Sequence, residues 1–228
     1  MRIGIIASSG GSVFSELARI SNFTGKKHQY FVVTDRRCGI ESVCLKQKIT
    51  FKRIQESSNR VFSIKSKEFF DENGGVDILL LFFLRLITKE LYGNLPVFNI
   101  HPSLLPAFPG FGAIKEAKKS GVKYLGATLH FVSGGIDNGE IIAQTSAPIS
   151  NFWSEKKLMR ISFFQKVYLG LLLIDLFEKK YIKISKKPIR AKINNNLGLS
   201  NLCNPEIQNR RYLKALTDLK KRENLIFL

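Results

Sequence analysis

A chain of 228 residues with 44% hydrophobic and 11% aromatic residues can build a substantial core, and its composition argues against a disordered protein. Thirty-six Lys and Arg against 18 Asp and Glu leave a net charge of +18, which points to an anionic ligand. The charges are scattered and no basic motif is interleaved with aromatics, which argues against nucleic acid as the partner. Cys38, Cys44 and Cys203 are odd in number and lack metal-ligand spacing, so a reduced, cytoplasmic protein without a metal is expected. The N-terminus has no long apolar signal segment, the run Ile78 to Ile87 is short and contains Arg85, and Asp175 interrupts Leu171 to Phe177. A soluble chain with no membrane segment follows.

Residues 2–7 read as a buried strand that ends in the small-residue turn Ser8 to Ser12, after which Val13, Phe14, Leu17 and Ala18 fall at helical spacing. Tyr30 to Thr34 reads as a second strand, and the alternation from Ile49 to Ile54 as a short third. A helix over 60–72 stops at Gly74-Gly75. The continuous apolar run Val76 to Phe83 is the pattern of a central parallel strand covered on both faces. A helical turn from Thr88 to Tyr92 leads to the strand Val97–Ile100. This alternation predicts an open α/β sheet.

Beyond a proline-rich loop, Ala113–Ser120 reads as a helix. Strands at about 124–132 and 140–148 follow, joined by S-G-G-I-D-N-G. The segment 154–180 is the strongest helix, with Ser154 as N-cap and apolar residues at Leu158, Ile161, Phe164, Val167, Leu171 and Ile174. Tyr181–Ser185 suggests an edge strand. Past Lys186 come a proline, the run Asn194–Asn196 and a basic helix from about Pro205 to Arg222. Residues 1–184 are thus expected to form the main domain and 185–228 a basic, partly helical extension.

The chemistry concentrates in N-I-H-P-S-L-L-P. Asn99 and His101, two residues apart on a strand, point to the same face. An amide N–H can hold a developing oxyanion, and an imidazole can carry a proton near neutral pH. Both residues fall at the C-terminal end of the strand, where ligand sites of open α/β sheets lie. His130 reads either as a satisfied sheet histidine or as part of the site, and Asp137 either as a turn former or as a carboxylate folded over His101, raising its pKa. S-S-G-G-S is either an ordinary βα turn or a cradle of backbone N–H groups for a phosphate. His28, in K-K-H-Q, reads as solvated surface.

The combination N-I-H-P-S-L-L-P-A-F-P-G and G-A-T-L-H-F-V-S-G-G-I-D-N-G-E-I-I-A-Q resembles the 10-formyltetrahydrofolate-dependent formyltransferases over about residues 1–184, most closely their glycinamide ribonucleotide branch. The resemblance implies a Rossmann-like formyltransferase fold, a mostly parallel central sheet with helices on both faces. It implies transfer of a formyl group from 10-formyltetrahydrofolate, the cosubstrate, to a primary amine of a small, phosphorylated molecule, with no metal. Asn99 would stabilise the oxyanion, His101 would act as cation and proton relay, and Asp137 would raise the pKa of His101 and order a proton-shuttling water, with His130 in support. Folate would lie against Leu84, Arg85, Leu86 and Ile87, where Leu84 and Leu86 otherwise read as core, with Arg60 as a further contact. The acceptor phosphate would lie at Gly11, Ser12 and Val13. Two departures fall on the acceptor side: Val13 stands where the branch carries asparagine, and Lys166 where it carries an acidic residue. They favour a second acceptor class, an amino-sugar nucleotide.

Overall fold

The computed structural model describes residues 1–23, 28–186, 189–193, 197, 198, 200 and 202–225. They divide into two units, one of residues 1–99, 131–140 and 184–191 and the other of 100–130, 141–183 and 192–228. The run Asn194–Asn196 lies outside the described residues.

The first unit alternates strand and helix from its start: β1 (Arg2–Ala7), α1 (Ser12–Phe23), β2 (Gln29–Thr34), α2 (Gly39–Gln47), β3 (Thr50–Arg53), α3 (Asn59–Glu72), β4 (Ile78–Phe82), α4 (Lys89–Tyr92) and the start of β5 (Val97–His101). The strands pair in parallel in the order β5-β4-β1-β2-β3, with Ile5 opposite both Val32 and Leu80, and Leu81 opposite Asn99. The near-continuous Ile, Val and Leu runs of β1, β2 and β4 suit strands buried on both faces. Gly4 leaves room for its neighbours, since a Cβ there would stand 2.9 Å from Leu79 Cδ1. Phe62, Phe69 and Phe70 of α3 pack with Ile6, Phe31, Leu79 and Leu81 in one core cluster. Ser58 caps α3 by accepting from the Val61 N–H at 3.3 Å.

The second unit carries α5 (Ala113–Lys119), β6 (Tyr124–Phe131), β7 (Ile141–Pro148) and α6 (Glu155–Glu178). β6 and β7 are antiparallel, Ala127 opposite Thr145, with a register shift between Leu129 and His130. Ser154 caps α6 as its sequence implies, accepting from the Lys157 N–H. β8 (Ile182–Lys186) and β9 (Ile189–Ile193) form a two-stranded sheet, and β10 (Cys203–Asn204) pairs antiparallel to β7. α7 (Arg210–Arg222) follows, its Tyr212, Leu216 and Leu219 buried. Asp175 of α6 accepts from the N–H groups of Gln208 and Asn209 at 2.6 and 3.0 Å, fastening the entry to α7. Residues expected to form a basic extension therefore supply a strand and a buried helix face to this unit. The strands of the second unit run in the order β10-β7-β6, and with the parallel strands of the first unit the fold is the expected α/β one, its strands mostly parallel.

Two expectations need correction. His28 is not solvated surface: it is buried, with its backbone N–H on Asn22 Oδ1 and its ring 3.5 Å from the N-terminal amine. Its polar neighbours in sequence hide that position 28 directly precedes the buried β2. The helix expected from Pro205 begins only at Arg210, capped by Asn209, because residues 203–204 are taken up by the ladder with β7.

Candidate active site

In the first unit the structure joins two of the expected residues. Asn99 Nδ2 donates to Asp137 Oδ1 at 3.2 Å across 38 residues of chain. Asn99 is held by β5, whereas Asp137 depends on a tight loop. Gly134 and Gly135 have φ of +107° and +77°, and Asp137 itself sits at +49°, a left-handed conformation that aspartate tolerates better than most residues. A Cβ on Gly134 would come within 3.2 Å of Tyr92 Oη, so the hydroxyl of Tyr92 closes on this loop.

Gly11, Ser12 and Val13 lie where β1 gives way to α1. Gly11 adopts φ +76° beneath Ile40, and its carbonyl accepts from the Ser15 N–H at 2.7 Å, which starts the helix. The backbone N–H groups of the first turn point outward at the positive end of the helix dipole, with no acidic residue in that turn to compete for them. Beside the turn, Asp35 is buried. Burial alone would raise its carboxyl, but hydrogen bonds from Arg36 and Ser8 and the Arg36 charge outweigh it and hold the pKa below the ordinary value.

Leu84 and Leu86 are 53% and 49% exposed, so they are not core, and Ile136 is 55% exposed. The Arg85 guanidinium donates to the carbonyls of Glu56 and Ser57 and to Asn59 Oδ1, pinning the entry to α3, and lies 3.9 Å from Asp35 Oδ2. Arg60 pairs with Glu90 at 2.7 Å. The Thr88 hydroxyl, the backbone and Arg60 together hold the Glu90 carboxyl at about 2.

In the second unit His101 is buried, and its Nε2 lies 2.7 Å from the carbonyl oxygen of Phe108. A carbonyl only accepts, so Nε2 carries a hydrogen and proton exchange falls to Nδ1. The carbonyl is itself held in place. Phe108 has φ +52°, unusual for an aromatic residue, and Ser103 Oγ donates to the preceding carbonyl of Ala107 at 2.5 Å. Thr128 Oγ1 donates to the Ser103 carbonyl at 2.7 Å and accepts from Leu105 N–H at 3.0 Å. Gln144 Nε2 donates to both the Leu105 carbonyl and Thr128 Oγ1 at 3.0 Å. Sequence reasoning misses Ser103, Thr128 and Gln144, whose one signal is polar character inside otherwise apolar stretches. His130 is buried beside the register shift of β6. Lys166 lies on α6, and desolvation lowers its ammonium pKa. In the first unit, burial pushes the Cys44 thiol up to about 12, so it stays protonated at neutral pH.

The Formyl transferase family matches residues 1–167. The chain is 49% identical over 75 residues to a phosphoribosylglycinamide formyltransferase of Bacillus subtilis, a match covering 32% of this chain and 38% of that protein. It is 38% identical over 85 residues to a formyltetrahydrofolate deformylase of Haemophilus influenzae, covering 36% and 31% of the two chains. The matched stretches thus span about a third of these relatives' own length. The crystal structure of glycinamide ribonucleotide transformylase 1 from Symbiobacterium toebii superimposes with a TM-score of 0.75 at 27% identity, covering 83% of this chain and 93% of that one. Among the described residues no helix is long and apolar enough to cross a membrane.

Proposed function

The chain belongs to the formyl transferase family, and from that premise we propose that it transfers a formyl group from 10-formyltetrahydrofolate to the primary amine of a small, phosphorylated acceptor, with glycinamide ribonucleotide the first candidate. The observation that carries this reading is the Asn99 amide, oriented by Asp137 at the end of β5 with His101 two residues further along the strand.

In this reading the acceptor nitrogen attacks the formyl carbon, and Asn99 donates to the carbonyl oxygen as it becomes negative. Preorganised donors of this kind contribute several kcal/mol of barrier lowering. The new carbon–nitrogen bond forms as the bond to folate N10 breaks, and the proton lost by the acceptor nitrogen ends on N10. His101 relays it through Nδ1, since Nε2 is engaged by Phe108. Asp137 would bring a negative charge to the site as well as orienting the Asn99 amide. The folate supplies the activated one-carbon group when bound. The half-exposed Leu84, Leu86 and Ile136 would cover the faces of its flat ring, and backbone groups of 84–87 would pair with its edge. Arg85 would contribute backbone only, and Arg60 a peripheral charge. Gly11, Ser12 and Val13 would hold the acceptor phosphate through backbone N–H groups, and His130 would support the site from β6.

Two other acceptors have specific support. Val13 and Lys166 favour an amino-sugar nucleotide, and the similarity to deformylases favours water, which would release formate through the same residues. One assay separates them: 10-formyltetrahydrofolate is offered with glycinamide ribonucleotide, with a panel of amino-sugar nucleotides, and with no amine. A formylated ribonucleotide is the expected product. Formylated sugar alone would replace the first acceptor, and formate without any amine would replace transfer by hydrolysis. Consumption of the donor in none of the three sinks the proposal.

A further inference from the structure

The end of the second unit where β6 starts and β7 stops carries an exposed patch of aromatic and basic side chains. Tyr124 at the start of β6 stands opposite Pro148 at the end of β7, and the Ile149 N–H donates to the Lys123 carbonyl at 2.8 Å. The chain then turns before α6 begins: the Trp153 N–H donates to the Ser150 carbonyl at 3.0 Å and the Phe152 N–H to Ser150 Oγ at 3.3 Å. The turn that follows α5 reaches the same place, since a Cβ on Gly121 would stand 3.5 Å from Asn151 Nδ2. The last turn of α5, the start of β6, the turn at 150–153 and the first turns of α6 are thereby gathered at one end.

Phe152 is 99% exposed and Tyr124 58%. A phenyl ring held in water on a tight turn forgoes the burial that ordinarily makes it favourable. Segments 115–124 and 149–160 hold seven Lys and Arg against two Glu, and Lys119, Lys123, Lys156 and Arg160 are exposed. Lys156 and Arg160 stand at i and i+4 on α6, so they share one face of the helix. Exposed apolar groups rimmed by charge mark interaction surfaces, and this rim is positive.

The partner is therefore anionic. A second copy of the chain, also at +18, would be repelled. A nucleic-acid strand is held by bases stacked on open ring faces, whereas the Lys157 ammonium lies 3.5 Å from the centre of the Trp153 ring and covers one of them. A bilayer surface asks for a projecting apolar ring, amphipathic aromatics at head-group level, and Lys or Arg around them. Phe152, the pair Trp153 and Tyr124, and the four exposed basic side chains meet those three requirements.

We propose that this end of the second unit docks on an anionic lipid bilayer, with the Phe152 ring entering the boundary between head groups and acyl chains and Lys119, Lys123, Lys156 and Arg160 pairing with lipid phosphates. Docking of this kind lays a protein on the surface and needs no membrane-spanning helix. The patch shares no residue with the site assigned to formyl transfer, so it stands or falls independently of that reading.

Trp153 is the chain's only tryptophan, so its emission reports on this patch alone. Full-length protein is titrated with vesicles of phosphatidylcholine and with vesicles of equimolar phosphatidylcholine and phosphatidylglycerol, and bound protein is separated by flotation. Flotation with a blue shift of Trp153 emission is expected on the anionic vesicles, with partition at least tenfold weaker on phosphatidylcholine alone. Phe152→Ser and the double variant Lys156→Ser, Arg160→Ser should each weaken partition at least fivefold. Lys214→Ser, which removes an exposed lysine of α7, should leave it within twofold. Phe152→Ser should keep the wild-type thermal midpoint, because so exposed a ring contributes no packing. Trp153 emission indifferent to anionic vesicles, or a Phe152→Ser protein that partitions like wild type, overturns the proposal. A Trp153 shift produced by a single-stranded oligonucleotide without vesicle binding would overturn it in favour of nucleic acid. Dimerisation lost in Phe152→Ser, again without vesicle binding, would overturn it in favour of a second copy.

Discussion

Asn99 and His101 are paired by the two-residue period of a strand, which is why they stand out from the order of letters alone. Asp137 can be named in the same way but not placed, because its position depends on a loop of positive-φ glycines whose path leaves no periodic mark. The Asn99–Asp137 hydrogen bond supplies that placement. The orienting partner of His101 is invisible in the sequence for a different reason: it is a main-chain carbonyl, and a backbone acceptor has no letter of its own. Arg85 shows another pairing that the letters hide, a guanidinium held by residues 56–59. These roles predict that His101→Ala lowers turnover by roughly a hundredfold or more, the usual worth of positioned proton transfer. Asp137→Asn should do the same for a sharper reason. An asparagine oxygen can still accept from Asn99, so the geometry survives while the carboxylate charge is lost. Equilibrium binding of the folate donor, followed by fluorescence, should be retained in both variants. Near-normal turnover in Asp137→Asn would show that orientation of Asn99, and not charge, is what Asp137 supplies.

Elements are legible in proportion to their apolar periodicity. β1, β4 and α6 announce themselves, whereas α2 has only Ile40 and Cys44 as buried apolar residues and begins at a cysteine that makes no side-chain cap. What anchors α2 is tertiary: Arg53 of β3 grips Glu41 through two hydrogen bonds of 2.7 and 2.6 Å. β10 is two residues long, below any pattern a sequence can show. The β6–β7 pair matters most for function, because Thr128 and Gln144 project from it to hold Ser103 and Leu105 and, through them, the turn that presents the Phe108 carbonyl. Removing the amide in Gln144→Leu strands the Leu105 carbonyl, a loss of about 1–3 kcal/mol. Urea unfolding should report that destabilisation. Turnover should fall at least tenfold under conditions where the variant is fully folded, with donor affinity held. A variant that is less stable but equally fast would show that the 103–108 turn keeps its shape without the two strands.

At the scale of the whole molecule the charge imbalance sets how stability responds to acid and salt. Asp35, Glu41 and Glu90 all have pKa values below their ordinary 3.8 or 4.5, with Glu90 at about 2. A carboxylate whose folded pKa is depressed stabilises the fold above its unfolded value, and that contribution disappears as pH falls toward the folded value. The window of loss thus opens below about 4.5. As pH falls further the 18 carboxylates become neutral, leaving the 36 Lys and Arg charges uncompensated. Self-repulsion therefore grows as the ion pairs are lost. Salt acts on both in opposite senses, weakening pairs and screening repulsion. Eighteen acidic groups cannot compensate 36 basic ones, so repulsion is the larger quantity and screening should win. The thermal midpoint should be nearly flat from pH 7 to 5 and fall below pH 4.5. The fall should be steeper in 20 mM than in 500 mM sodium chloride, where the screening length shrinks to about 4 Å. At pH 7 the midpoint should already rise with salt. A midpoint that drops on adding salt would mean that the Arg36–Asp35, Arg53–Glu41 and Arg60–Glu90 pairs outweigh the surplus of positive charge, and that the basic surface is already neutralised locally by its own acids.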